Sequence, residues 1–353
     1  MPASQRMTSV AIASPPLRAT PWAERILARC SWGGTALAGA AGDDDEDVAV
    51  ETVLARMRQS VSDDGVLGAW AGHHLTSGGS AWRARMAMAA GRAAGLDSRA
   101  TAAITAACEL VHQASLLHDD IQDGATTRRG AASIVGRYGA AAAVCLGDHL
   151  LFAALALLAE VPEPALIRQF ASGLTQAVRG QASELDPGLW PAMTPARSLA
   201  LARAKTGAMA ALPLRSVALA ARLPGPLVEQ AAEAATRLGA AYQLCDDLED
   251  VEEDAGRGAP NAVLAHHLAM APAAERAALI ETLARAQSGA APLAAIPAMP
   301  AAMAACHAQA RDLLAEANAL ARATPFAAVI VTITTRIGQK LRAAAKARGV
   351  AGA

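Results

Sequence analysis

Two long apolar stretches of this chain end in the same acidic pattern, Asp119-Asp120-Ile121-Gln122-Asp123 and Asp246-Asp247-Leu248-Glu249-Asp250. On a helix, residues three and four apart share a face, so within each motif the three aspartates project together. Leu116 and Leu117 before the first motif, and Leu244 and Cys245 before the second, turn that face toward a protein interior. Three unneutralised carboxylates in an interior are very costly, so something positive must stand against each trio. Hard oxygen ligands on a helix suit Mg²⁺, which keeps several waters and binds through one or two carboxylates plus substrate phosphates. One such motif alone also reads as a solvent-facing helix end. Two of them read as carboxylate-bearing helices facing each other across a bundle.

The rest of the chain supports a bundle. Of 353 residues, 53% are hydrophobic, only 3% aromatic and 18% charged. Ala, Leu and Arg dominate, and β-branched runs are scarce, which favours helix over strand. Beyond Val50, helically spaced apolar stretches alternate with breaks at Gly65 to Gly68, Gly78 and Gly79, Gly130, Pro162 to Pro164, Pro187 to Pro195, Pro224 to Pro226 and Gly256 to Pro260. Long helices are expected at Ala100 to Gly124 and Leu199 to Leu223, a loop at Gly289 to Pro300, and a final helical region at Ala301 to Arg348 broken near Pro325. The predicted fold is all-α, a large single-domain helical bundle spanning 51–348 behind a flexible N-terminal tail over 1–50. The acidic run Asp43 to Asp47 belongs to that tail, because adjacent like charges repel and stay hydrated.

Composition also excludes partners. The net charge is -1 and the cations are scattered, so nucleic acid is not expected. Cys30, Cys108, Cys145, Cys245 and Cys306 are widely spaced and form no CxxC pair, so they read as reduced thiols, mostly in the core, of a cytoplasmic protein. No uninterrupted apolar run approaches the roughly 20 residues needed to span a bilayer.

A paired cluster of divalent ions needs a polyanion, and a diphosphate fits. Its departure from an allylic carbon is helped where the developing charge is stabilised, and an apolar interior beyond it excludes water from a carbocation. Around the motifs lie Glu109 to Asp120, Arg128-Arg129-Gly130, Gly147-Asp148, Gly180-Gln181, Lys205-Thr206-Gly207 and Tyr242-Gln243. This ordered set resembles the trans-isoprenyl diphosphate synthases, the polyprenyl synthetase family, over roughly residues 60 to 348.

The resemblance implies an isoprenoid synthase bundle with a central active-site cavity, and a homodimer. It implies that Asp119, Asp120, Asp123, Asp246, Asp247 and Asp250 bind three Mg²⁺ ions and an allylic diphosphate. Arg128 and Lys205 match positions that contact that diphosphate, as a guanidinium fork and an ammonium do well. Thr206 and Gln243 match polar positions near the reacting carbon. His112 and Arg129 match two of the four cations that hold isopentenyl diphosphate. The other two come from a GGKxxR motif, which here reads Gly78-Gly79-Ser80-Ala81-Trp82-Arg83. Arg83 keeps the arginine, and Ser80 replaces the lysine.

After the second motif, Glu252 to Gly258 is shorter than the family's loop and lacks its Gly-Lys, leaving Arg257 as the stand-in. The implied activity is condensation of an allylic diphosphate with isopentenyl diphosphate, with Mg²⁺ assisting ionisation. Small residues at Ala114 and Ser115, just upstream of the first motif, leave the pocket floor open and imply a product of C20 or longer. Two alternatives remain, a class I terpene synthase or diphosphate lyase on the same fold, and a non-catalytic partner subunit of a heteromeric synthase. Intact second-motif aspartates weigh against both.

Overall fold

A computed structural model of the chain describes residues 43–63, 65–76, 81–289 and 299–350, with side chains from residue 50 onward. The chain opens with α1 (Asp43–Ser60), α2 (Val66–Leu75), α3 (Trp82–Ala93) and the long α4 (Ser98–Gln122). A two-residue hairpin, β1 (Thr127–Arg128) against β2 (Ala131–Ala132), follows the first acidic motif. Then come α5 (Ile134–Tyr138), α6 (Ala140–Ala159), α7 (Pro164–Glu184) and α8 (Pro195–Ala202). A single π turn, Arg203–Gly207, leads straight into α9 (Ala208–Ala220). The second motif closes α10 (Gly225–Glu249), after which α11 (Val251–Arg257), α12 (Ala262–Met270), α13 (Ala273–Gln287), α14 (Pro300–Ala321) and α15 (Ala327–Ala347) complete the molecule.

Two buried helices organise the rest. α4 packs on α6 and α3, and α10 packs on α14, α9 and α15. Alanine lets these backbones approach: Ala103, Ala106, Ala107 and Ala114 of α4, and Ala231, Ala234, Ala235 and Ala241 of α10, are fully buried. Caps fix where the helices start. Asp97 accepts from the Ala100 N–H at 2.9 Å ahead of α4, and Asn261 accepts from the Val263 N–H at 2.9 Å ahead of α12. Each acidic motif therefore sits at the C-terminal end of a central helix, at a depth set by packing.

Two glycines set the spacing around the π turn. A Cβ on Gly180 would lie 2.8 Å from the Lys205 nitrogen, and one on Gly239 would lie 2.6 Å from the Thr206 carbonyl oxygen. Only glycine lets α7 and α10 press against this turn from both sides, and that pressure aims Lys205 and Thr206 inward.

The all-α expectation holds, with the short hairpin as a local addition that carries Arg128 into place. The expected helix from Leu199 to Leu223 is resolved as α8, the π turn and α9. The acidic run Asp43 to Asp47, expected in the N-terminal tail, instead opens α1, and the rest of that tail, 1–42, lies outside the described residues. Ser80, and the loop from 290 to 298, lie outside the described residues. Cys108, Cys245 and Cys306 are buried free thiols and Cys145 is exposed, while Cys30 lies outside the described residues.

The membrane expectation needs one correction. α6 is long and apolar enough to cross a bilayer by length and composition. It escapes a search for an unbroken run because Asp148 and His149 interrupt it. Its Ala143, Leu146, Leu150, Ala154 and Leu158 are buried in the core against α4, as in an ordinary bundle helix.

Candidate active site

A cavity of about 520 Å³ opens between the ends of α4 and α10. Its acidic wall carries Asp119 from the first motif and Asp246 from the second, with Lys205, Thr206 and Gln243 between them. Arg83 and His112 line the same space, and Val111, Leu116, Leu151, Leu174 and Met209 form an apolar floor. A polar mouth of about 440 Å³ adjoins it, lined by Asp119, Asp123, Gln181, Glu184, Lys205, Asp254 and Arg257.

The six motif aspartates divide into two groups. Asp119, Asp123 and Asp246 line the cavity or its mouth. Asp120 is fully buried elsewhere, its Oδ1 accepting from Arg128 Nε at 2.9 Å and Nη2 at 2.6 Å. Its Oδ2 is buried with no hydrogen-bond partner among the described residues. Asp247 is spent on the scaffold: Oδ1 accepts from Gln243 Nε2 at 2.9 Å and Oδ2 from the Ala262 N–H at 2.8 Å. Asp250 closes α10 and lines neither space. Identical spacing thus yields three carboxylates facing the cavity where six were expected. Among the described residues, no three acidic, histidine or thiol side chains gather tightly enough to hold an ion alone.

Electrostatics mark the cavity wall as short of positive charge. Burial pushes the Asp119 carboxyl above its usual range, opposed by Lys205 and reinforced by Asp123 and Asp120. Burial likewise raises Asp246 to about 6, against the pull of Lys340. Burial alone would lower the Lys205 ammonium, but Glu184 and Asp119 outweigh it and raise it; Glu184 Oε2 lies 2.8 Å away. Carboxylates under such strain fit a hard divalent cation that also ligates phosphate.

The cations fall into place unevenly. Arg83 is half-buried, stacks 4.6 Å over the Trp82 ring, and leaves its buried Nε without a hydrogen bond among the described residues. His112 is held well below its usual range by burial and then by Arg83, Arg129 and Arg128, so it stands neutral. Arg257 reaches the mouth, 3.2 Å from Asp254 and 3.8 Å from Asp123. Arg128, expected on the diphosphate, is engaged by Asp120, and Arg129, at φ 51° in the hairpin turn, lines neither space.

Thr206 Oγ1 donates to Gln243 Oε1 at 2.7 Å, which joins the π turn to α10 and, through Gln243, to Asp247. The upstream residues separate too: Val111, Ser115 and Leu116 line the cavity, whereas Ala114 is buried on another face of α4.

Three participants carried no signal in the motifs. Lys340 of α15 pairs with Asp246, lies 3.5 Å from Glu249 and sits 4.4 Å over the Tyr242 ring. Glu184 follows Gly180-Gln181 by three residues, and that proximity was its only clue. Asp254 accepts from Asn261 Nδ2 at 2.9 Å and lines the mouth.

Comparison with known proteins matches residues 66–288, well over half of the chain, to the polyprenyl synthetase family. The chain belongs to the polyprenyl synthetase family. Heptaprenyl diphosphate synthase component 2 of Geobacillus stearothermophilus is 31% identical over 226 residues, 62% of this chain and 69% of the relative. Geranylgeranyl diphosphate synthase of Mycobacterium tuberculosis is 31% identical over 197 residues, 54% of this chain and 56% of that one. Among solved structures, the geranylgeranyl pyrophosphate synthetase of the archaeon Geoglobus acetivorans superposes with TM-score 0.70 at 19% identity, covering 83% of this chain and 99% of that one. A polyprenyl synthase from Caulobacter crescentus CB15, solved with calcium and isoprenyl diphosphate, gives 0.68 at 22%, covering 84% and 95%. These likenesses establish the all-α isoprenoid synthase fold of this polyprenyl synthetase family member.

Proposed function

We propose that this chain is a prenyltransferase that condenses an allylic prenyl diphosphate with isopentenyl diphosphate, giving a product of C20 or longer. One observation carries the reading. A single cavity joins a carboxylate wall short of positive charge to a half-buried guanidinium, Arg83, whose buried Nε lacks a hydrogen-bond partner among the described residues, and continues into an apolar floor. A metal-bound diphosphate fits the first, a second diphosphate the next, and a hydrocarbon tail the last.

Asp119, Asp123 and Asp246 would hold Mg²⁺ with the allylic diphosphate, three ions being the number proposed. When bound, these ions supply charge compensation for the departing pyrophosphate. Lys205 stands by the leaving oxygens as a point charge, and Arg257 guards the mouth. Arg83 and neutral His112 hold the second diphosphate so that its alkene faces the reacting carbon. The allylic C–O bond breaks, a C–C bond forms to the alkene, and the released pyrophosphate takes the proton lost from the adjacent carbon. The wall of Val111, Leu116, Leu151, Leu174 and Met209 keeps water from the cation.

Residues 51–348 are proposed as the catalytic unit. The exposed apolar residues Val144 and Phe152 on α6 support a homodimer packed through this helix. A cytoplasmic location is part of this proposal, supported by the wide spacing of the five cysteines.

The test is incubation of purified protein and Mg²⁺ with labelled dimethylallyl, geranyl, farnesyl or geranylgeranyl diphosphate, with and without isopentenyl diphosphate. Longer diphosphates must appear only when both substrates are present. Hydrocarbons or alcohols from one substrate alone would replace this reading with lysis or cyclisation.

A further inference from the structure

The two aspartate motifs meet their resident cations in opposite ways. Arg128 takes Asp120, which lies away from the cavity, and leaves Asp119 with no side-chain hydrogen bond among the described residues. Lys340 takes Asp246, the second-motif aspartate that lines the cavity. Its ammonium bonds Oδ1 of Asp246, stands 3.5 Å from Glu249 and rests on the Tyr242 ring. It is not left to wander. Eight residues further on, just past the end of α15, Arg348 binds Glu252 and the Glu249 carbonyl, so the C-terminal segment grips the end of α10 at two points.

We propose that Lys340 is a positioning residue that withholds Asp246 from divalent ions until a diphosphate enters the cavity, so that ions load on the first motif before the second. The inference rests on the reading above that this cavity binds a metal–diphosphate. An ion approaching Asp246 must displace a bonded ammonium, or else share the carboxylate with a like charge a few ångströms away. Like-charge repulsion at roughly 5 Å lowers affinity by about tenfold even under water-like screening. Asp119 has no bonded ammonium to displace: Lys205 acts on it through charge alone, its own hydrogen bond going to Glu184. A diphosphate bridging the motifs adds the negative charge that tips the exchange, so the second motif closes only on an occupied site.

Binding of Mn²⁺ to the full-length protein, followed through the free-ion electron paramagnetic resonance signal at pH 8.5, tests this without turnover. Wild type, Lys340→Met, Lys340→Gln and Lys340→Arg are titrated with and without inorganic pyrophosphate. Wild type is expected to show a class of sites that is lost in Asp119→Asn, and a weaker class that requires pyrophosphate. In Lys340→Met and Lys340→Gln the weaker class tightens about tenfold and no longer requires pyrophosphate, while Lys340→Arg titrates as wild type. Retention of the Asp119-dependent class certifies that each variant is folded. Neutral variants whose second class matches wild type, or binds more weakly, overturn the proposal. Failure of the wild type to elongate any allylic substrate would instead remove the functional reading, whatever the titrations give.

Discussion

Replacing Asp247 with Ala should unfold this protein more readily than replacing Asp119, although both sit in Asp-Asp-x-x-Asp motifs. Asp247 is 4% exposed, and its two oxygens accept from Gln243 Nε2 and the Ala262 N–H. Truncation leaves the buried Ala262 N–H unmet, at about 1 to 3 kcal/mol, and takes from the half-buried Gln243 amide a bond worth about 1 kcal/mol, so the expected loss is about 2 to 4 kcal/mol. Asp119→Ala removes no side-chain hydrogen bond, and the burial cost and repulsion from Asp123 and Asp120 that it relieves offset the lost attraction to Lys205 and Arg128, so its stability should stay within about 1 kcal/mol of wild type.

Asp247→Asn adds a finer test. Asn can keep its oxygen on the Ala262 N–H and donate to Gln243 if that amide flips, which forces Thr206 Oγ1 to accept where it now donates. Stability should then lie within about 1 kcal/mol of wild type while kcat falls, because the Thr206 hydroxyl proton is redirected. Urea unfolding without metal, read by circular dichroism, measures the stabilities, and the labelled condensation assay measures turnover. Equal losses for Asp119→Ala and Asp247→Ala would refute the division of the motifs into cavity and scaffold carboxylates.

Ser115→Phe should shorten the product, because Ser115 lines the cavity, whereas Ala114→Phe overpacks a fully buried position and should cost about 1 to 3 kcal/mol of stability; chromatography of the products and urea midpoints separate the two. His74, which bonds the Gln113 carbonyl at 3.1 Å, has its pKa lowered by burial from 6.5 to about 4. A depressed histidine contributes stability that is present above its unfolded pKa and lost as pH falls through the folded value. Wild type should therefore lose about 2.5 kcal/mol relative to His74→Asn between pH 7.5 and 4.5, and parallel pH profiles of the two would contradict the linkage.

Much of this architecture was legible because helices announce themselves through punctuation. Pro, Gly and cap residues marked nearly every break, and paired aspartates at helical spacing marked the two ends of the cavity. What spacing could not reveal was the direction of each carboxylate. Asp119 and Asp120 are neighbours, yet the hairpin brings Arg128 to one and leaves the other to the cavity. Asp247 is captured by the turn at Asn261, whose Nδ2 donates to the Asp247 carbonyl at 2.9 Å. Ala114 and Ser115 differ by one helical step, enough to move a side chain from the cavity to the core. Lys340 stood on a helix with no motif, almost a hundred residues from its partner, and only tertiary packing could introduce them.

The π turn at Arg203–Gly207 absorbs one more residue than an α-helical turn would, so a single deletion inside it can be taken up by regular winding with α9 kept in place, at the cost of moving Lys205 and Thr206 off the cavity wall. A deletion within α9 has no such reserve: it rotates everything beyond it by ~100°. Leu214 and Val217 are buried and would swing away from their neighbours together. This stretch can therefore change length at one point, and only at the expense of the side chains that the turn presents.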